Sequence, residues 1–278
     1  MSAKGYSLDD LLQVMARLRD PVHGCPWDLE QTFKTIVPST LEECYELAYA
    51  IETDNYDHVA EELGDVLFQV VFYAQLGTEQ ELFDFPAVVN TLVEKLLRRH
   101  PHVFPNGDLL YGIAPGDTAP ISSEKSLEDV RVSWENIKQQ ERNARALNGI
   151  FDDVARALPS LTRAQKIQKR AAGINFDWPD YRGAVAKVRE ELSELEDAIL
   201  SEHELSIEEE MGDLLFSCVN VSRHLGVDAE TSLRNATRKF ESRIESVTAL
   251  AASKGLKMND MTSSELDALW LEVKHSAG

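Results

Sequence analysis

Two pairs of acidic residues sit three positions apart in helix-forming text. Glu43 and Glu46 lie in LEECYELAYA, and Glu62 and Asp65 lie in EELGDVLFQVV. Both pairs recur 148 residues later, as Glu191 with Glu194 and Glu210 with Asp213, the second within EEMGDLLFSCV. On an α-helix, positions i, i+3, i+4 and i+7 share one face. Glu43 and Glu46 therefore share a stripe with Leu47 and Ala50, and Glu191 and Glu194 with Leu195 and Ala198. Glu62 and Asp65 align with Val66 in the same way, and Glu210 and Asp213 with Leu214. The spacing predicts acids that extend a core-facing stripe. Four carboxylates gathered in a partly buried site repel one another and lose hydration, so they stay ionised only with cations between them.

Every candidate ligand is a carboxylate oxygen, which selects a hard ion such as Mg²⁺ or Mn²⁺. A di-iron bundle would place ExxH on two helices, and neither acidic pair contains it. Zinc would need Cys or His ligands at suitable spacing, and these are absent. A hard divalent ion on a carboxylate cluster points to a phosphate substrate, and basic residues complete that chemistry. Lys239 and Arg243 lie one helical turn apart and suit phosphate oxygens, the arginine in bidentate fashion. Lys187 precedes Glu191 by one turn, and Trp270 with Lys274 suits closure over a base or sugar.

The repeat extends beyond the acids. Lys95 and Arg99 precede Lys239 and Arg243 by 144 residues, and Trp134 and Lys138 precede Trp270 and Lys274 by 136. Each half therefore reads ExxE, ExxD, KxxxR, WxxxK in that order. Connecting loops of different length account for the drift in offset. The halves differ in two respects: the position 148 before Lys187 is Ser39, and the first half has a long Pro/Gly-rich insert between its KxxxR and its WxxxK. Those differences favour the second half as the working site and leave the first as a regulatory, scaffolding or weakly active copy.

These residues require helices to hold them, and helical periodicity dominates the chain. SLDDLLQVMARLRD opens on Ser7 with Asp10 three residues later, and TLEECYELAYAIE opens on Thr40 with Glu43 at capping-box spacing. PAVVNTLVEKLLRRH opens on Pro86, and SLTRAQKIQKRAA is a basic helix ending before Gly173. Residues 101–125 read as a long Pro/Gly-rich loop. No alternating strand pattern is present, so the fold class is all-α. The expected organisation is a repeat at 1–150 and a second at 151–278.

The 278 residues carry 48 acidic against 28 basic side chains, a formal charge of −20. Such a surface repels nucleic-acid backbones and anionic membranes, so neither a nucleic acid polymer nor a membrane is an expected partner. Cys25, Cys44 and Cys218 form no CxxC pair and read as buried thiols in a reducing compartment. The N-terminus shows no apolar signal region, and no apolar run approaches the ~20 residues that span a bilayer. A cytoplasmic protein is expected.

The strings RDPVHGCPWDLEQTF, EELGDVLFQVVFYAQ, RRHPHVF, RAQKIQKRA and EEEMGDLLFSCVN together resemble the two-repeat bacterial MazG nucleoside triphosphate pyrophosphohydrolases, over roughly residues 7–275. The resemblance implies a tandem repeat of helical-bundle all-α NTP pyrophosphohydrolase domains that associates as a homodimer. It implies hydrolysis of an NTP or dNTP to NMP and PPi, with Mg²⁺ on Glu191, Glu194, Glu210 and Asp213. Glu190 and Glu209 would orient those ligands or the attacking water. Lys187, Lys239, Arg243 and Trp270 would contact the nucleotide. Family members carry a basic residue just ahead of the second acidic triplet, whereas this chain has Leu205-Ser206-Ile207 there. One phosphate contact, and the relatives' substrate preference, therefore do not transfer. A nucleotide sensor without turnover, a ligand-free helical scaffold and a dedicated dUTP or dCTP pyrophosphatase are the competing expectations.

Overall fold

The computed structural model describes residues 5–110, 126–144 and 149–276, and among them there is no β-strand. The Pro/Gly-rich stretch expected as a loop falls largely at 111–125, outside the described residues. The chain divides into two compact units, Met1–Ile137 and Lys138–Gly278.

In the first unit, α1 spans Leu8–Leu18, α2 Pro26–Glu30, α3 Val37–Glu52, α4 Tyr56–Glu79, α5 Phe85–Arg99 and the start of α6 Leu127–Ala144. α1 begins with the expected capping box: Ser7 Oγ accepts from the Asp10 amide, and the Asp10 carboxylate accepts from the Ser7 amide at 2.7 Å. The capping box expected at Thr40 does not form. Helix α3 starts at Val37, because Pro38 suits the first turn, and Thr40 lies inside it. There the Thr40 hydroxyl donates back to the Ile36 carbonyl at 3.0 Å and meets the Tyr73 hydroxyl at 3.0 Å. α5 starts on an Asp84 cap, with Pro86 in the first turn.

The core of this unit is Met15, Ile36, Val71, Phe72 and Leu76, with Leu11, Phe33 and Phe68 packed against it. Arg19 closes its edge. Its guanidinium grips Glu79 through Nε at 2.7 Å and Nη2 at 2.5 Å, and also donates to the Asp28 carbonyl. That pairing holds the Glu79 carboxyl below its ordinary value, against the opposing effect of burial.

In the second unit, α7 spans Ser160–Ala172, α8 Tyr181–Leu200, α9 Glu204–His224, α10 Ala229–Ser253 and α11 Ser263–Ser276. α8 packs against α9, and α7 packs against α9 and α10. α10 and α11 bury Val247, Ala251, Leu269 and Val273 between them.

The acidic helices form matching antiparallel hairpins, α3 with α4 and α8 with α9. Each turn has three residues between the helices, with one residue in the left-handed region: Asp54 at φ 54° and Glu202 at φ 53°. These two positions are 148 residues apart, the same offset as the acids. Each following helix is capped by a side chain, Asn55 for α4 and His203 for α9. A short turn with a fixed cap sets the register between the helices. That register is what brings an ExxE and an ExxD opposite each other.

The cysteines depart from expectation. All three are free, but Cys44 and Cys218 are exposed and Cys25 is half-buried. The two exposed thiols lie on the outer faces of α3 and α9. Among the described residues, no helix is long and apolar enough to cross a membrane.

Candidate functional site

In the second unit, carboxylate oxygens of Glu191, Glu194 and Glu210 lie within 4.8 Å of one another. In the first unit, Glu43, Glu62 and Asp65 do the same. Neither triple is the full set of four expected acids: Asp213 and Glu46 fall outside them. Glu191 is 4 % exposed, whereas Glu194 and Asp213 are solvent-exposed. Helix geometry explains the difference. A step of three residues turns about 300°, so Glu194 lies about 60° off the stripe of Glu191, while Leu195 lies about 40° off it on the other side. The first acid of each ExxE thus goes inward and the second turns toward solvent. The expected core-facing stripe holds for Glu191 and not for Glu194 or Glu46.

Crowding raises proton affinity in both clusters. The Glu194 carboxyl is pushed above its ordinary value of 4.5, first by loss of hydration, then by a hydrogen bond with Glu191 and the charges of Glu191 and Glu210, with Lys187 opposing. Glu43 is pushed up by burial first, then by the charges of Asp65, Glu46, Glu62 and Glu42. The second cluster has a built-in counter-ion that the first lacks at that position. Lys187 Nζ lies 2.8 Å from Glu190 and 2.8 Å from Glu191, and both hydrogen bonds push its pKa far upward. The first cluster has instead His58 Nδ1 at 3.6 Å from Glu62. His58 lies 148 residues before Ser206, the position where a basic residue was expected and is missing. The sequence comparison passed over that histidine, although the offset itself locates it.

The oxygen-only donor set, and the loss of hydration and mutual repulsion that raise Glu194 and Glu43, fit a hard divalent cation. A consequence follows for pH. A carboxyl raised in the folded state contributes stability that is fully present below its unfolded value, near 4.5, and lost as pH rises through its folded value. In the metal-free protein the contribution of these two carboxyls should therefore be lost as pH rises above about 4.5, and a divalent ion should offset that loss by neutralising the cluster. The expected result is a Mg²⁺-induced rise in Tm that is larger at pH 8 than at pH 5.5, read by differential scanning fluorimetry. An equal rise at both pH values would contradict it.

The remaining expected residues fall into two groups. Glu190 is exposed and paired with Lys187, and Glu209 is exposed on α9. Arg243 stacks over the Trp270 ring at 5.7 Å, and Phe240 meets the same ring at 5.5 Å. Trp270 packs against the Val247–Val273 cluster, so it is part of the α10–α11 seam as well as a platform for Arg243. Lys239 and Lys274 are exposed. In the first unit, Trp134 lies 5.2 Å from His100, edge to face. The side chain of Lys138 lies outside what is described.

A cavity of about 820 Å³ adjoins the second cluster, and Lys187, Glu191 and Asp213 contribute to its wall. Gln168 of α7 and Asn220 of α9, both buried, line it deeper in. The sequence reading singled out neither residue.

Two helical hairpins, each focusing carboxylates from an ExxE and an ExxD onto one point, define a tandem all-α protein built to concentrate acidic oxygen ligands. The family model for the MazG nucleotide pyrophosphohydrolase domain matches the chain twice, at residues 31–104 and 181–248, and the chain belongs to that family. It is 46 % identical over 271 residues to the nucleoside triphosphate pyrophosphohydrolase of Escherichia coli strain K12, covering 96 % of this chain and 97 % of that one. It is 41 % identical over 274 residues to the nucleoside triphosphate pyrophosphohydrolase/pyrophosphatase MazG of Thermotoga maritima, covering 99 % and 98 %. A third relative, the protein YabN of Bacillus subtilis, is 37 % identical over 264 residues, covering 95 % of this chain and 50 % of the relative.

Proposed function

We propose that the chain hydrolyses nucleoside triphosphates, ribo or deoxy, to NMP and PPi, and that residues 151–278 form the catalytic repeat while 1–150 form a regulatory or weakly active copy. The observation that carries this reading is the convergence of Glu191, Glu194 and Glu210 within 4.8 Å, from two helices whose register the hairpin fixes. Family membership and the relatives' names support the reaction.

Glu191, Glu194, Glu210 and Asp213 would hold Mg²⁺, or Mn²⁺ in its place. Bound there, the ion would supply Lewis acidity toward phosphate oxygens and toward the charge of a leaving pyrophosphate. The residues do the rest. One carboxylate of the cluster would take the proton of the attacking water. Glu190 keeps Lys187 beside the cluster, and a phosphate arriving there competes for the same ammonium. Lys239 and Arg243 add cationic charge, with Arg243 held over Trp270. Water attacks the α-phosphorus, the bond from that phosphorus to the α,β-bridging oxygen breaks, and pyrophosphate leaves with that oxygen.

Hydrolysis in ¹⁸O-labelled water tests this. The label is expected in NMP and not in pyrophosphate. Formation of NDP and inorganic phosphate would contradict the reaction. The asymmetry between repeats has its own test. Glu46→Ala should retain most PPi release and Glu194→Ala should not; equal losses would sink it.

The exposed apolar residues Leu192 and Ile199 on α8 and Met211 and Leu215 on α9 support association as a homodimer. Light scattering at micromolar concentration checks that state. A cytoplasmic nucleotide pool is the setting that fits these substrates, and clearing unwanted triphosphates from it is the role we assign.

A further inference from the structure

The cavity beside the second carboxylate cluster has an unusual interior. Trp178, Phe176 and Phe216 give it aromatic walls, and two buried amides sit among them. Gln168 is 6 % exposed, and its Nε2 donates to the Phe216 carbonyl at 2.8 Å. That bond fixes the orientation of the amide and leaves Oε1 buried with no hydrogen-bond partner. Asn220 is 8 % exposed, and its Oδ1 accepts from Arg223 Nε at 2.9 Å. Arg223 is itself anchored on Asp177. The Asn220 amide is thereby turned with Nδ2 as its remaining donor. Trp178 lies over Gly183, where a Cβ would come within 2.2 Å of the indole. Only a glycine there lets the ring keep its place along the cavity wall.

The first repeat fills the corresponding positions with apolar side chains. At the 148-residue offset, Phe216 corresponds to Phe68 and Asn220 to Phe72. Phe72 is 0 % exposed and packs with Met15 and Leu76 in a solid apolar core. The second repeat has replaced that aromatic ring with an amide beside a cavity, a choice that sacrifices packing. It also leaves an acceptor unpaired, which native interiors seldom tolerate without a reason. An 820 Å³ volume with mostly apolar walls and a few fixed polar groups is the form of a small-molecule site.

We propose that this cavity is the nucleobase subsite of the second repeat. Gln168 Oε1 accepts a hydrogen bond from an N–H on the base edge, and Asn220 Nδ2 donates to the neighbouring ring nitrogen or carbonyl. The aromatic walls take the ring faces. The proposal rests on the carboxylate cluster as the triphosphate site, since Glu191 and Asp213 form the shared wall. It makes Gln168 and Asn220 specificity-determining residues, and it assigns base recognition to one repeat only. Adjacent donor and acceptor groups are what every nucleobase edge offers, so the cavity selects among bases by which edge it can reach.

The test compares substrates that differ in one N–H-bearing group on the base edge. dATP is paired with its analogue lacking the 6-amino group, dCTP with its analogue lacking the 4-amino group, and dGTP and dTTP with their N1- and N3-methyl forms, all with Mg²⁺. Wild type should favour the donor-bearing member of at least one pair by about tenfold or more in kcat/KM. Gln168→Met should bring that ratio close to one, chiefly through KM. A wild type indifferent in all four pairs, or a Q168M protein that keeps the preference, overturns the proposal. A second measurement uses Asn220→Phe, which puts the first repeat's own residue into the cavity. By calorimetry, nucleotide binding should weaken about tenfold or more, while Mg²⁺–tripolyphosphate, which has no base, binds as in wild type. Undiminished nucleotide binding by folded N220F overturns the proposal. Failure of wild type to bind Mg²⁺–tripolyphosphate at all would instead overturn the carboxylate-site reading beneath it.

Discussion

Alanine at Glu194 or at Asp213 is expected to lower PPi release by about a thousandfold or more, and the metal-free Glu194→Ala protein stays as stable as wild type or becomes more so. The two effects have one cause. Glu194 lies against Glu191 and Glu210, and this crowding raises its proton affinity in the folded state. Removing one carboxylate relieves the repulsion and leaves too few ligands for the cation. Far-UV circular dichroism and a thermal melt without metal should match or exceed wild type, and a coupled pyrophosphate assay should fall to near background. Glu191→Ala is predicted to differ. Glu191 is buried and paired with Lys187, so its loss empties a packed position at the cavity wall and leaves Lys187 to the exposed Glu190, and it should destabilise as well as inactivate. If Glu194→Ala lost activity and helicity together, the acid would be structural and the catalytic reading of it wrong.

Phe72→Ala is expected to destabilise the first repeat by about 3–5 kcal/mol, the range for deleting a fully buried aromatic side chain. Phe72 is 0 % exposed, meets Phe68 edge to face at 5.8 Å, and has the Arg19 guanidinium 5.4 Å from its ring centre. Truncation opens a void under an arginine whose other contacts, to Glu79 and the Asp28 carbonyl, depend on its position. Urea unfolding should show the loss as a lower midpoint for the transition that includes the first unit. PPi release measured well below that midpoint should persist, because the acids proposed as catalytic lie in the other repeat. A cost below about 1 kcal/mol would mean that Phe72 is not a core anchor, and the contrast with Asn220 would lose its force.

Much of the fold was legible because it is repeated. Acid spacing, the 148-residue offset and the Ser7 cap all express local helix chemistry, which short-range sequence carries well. Thr40 misled because a threonine three residues before a glutamate looks the same at a helix start and one turn inside it. The proline two residues ahead of Thr40 was the deciding signal. Glu194 and Asp213 were expected buried and are solvent-exposed, since a three-residue step does not close a helical turn. The exposure of Cys44 and Cys218 follows from the same geometry, as they occupy the outer faces of the acidic helices. The cavity was harder to see. Gln168 and Asn220 are 52 residues apart on different helices and meet only through packing. One trace was present: the repeat offset sets an asparagine against a phenylalanine in otherwise similar strings. An alignment of the halves that scored their differences, as well as their shared acids, would have drawn attention to it.

The central claim is that the second repeat's carboxylates gather a divalent cation for work on a triphosphate. The most direct test is anomalous diffraction from crystals grown with Mn²⁺ and a non-hydrolysable nucleotide. The account predicts a Mn²⁺ peak bounded by Glu191, Glu194 and Glu210, with the α-phosphate against it. Anomalous peaks confined to other surface acids, with the nucleotide bound away from this cluster, would contradict it.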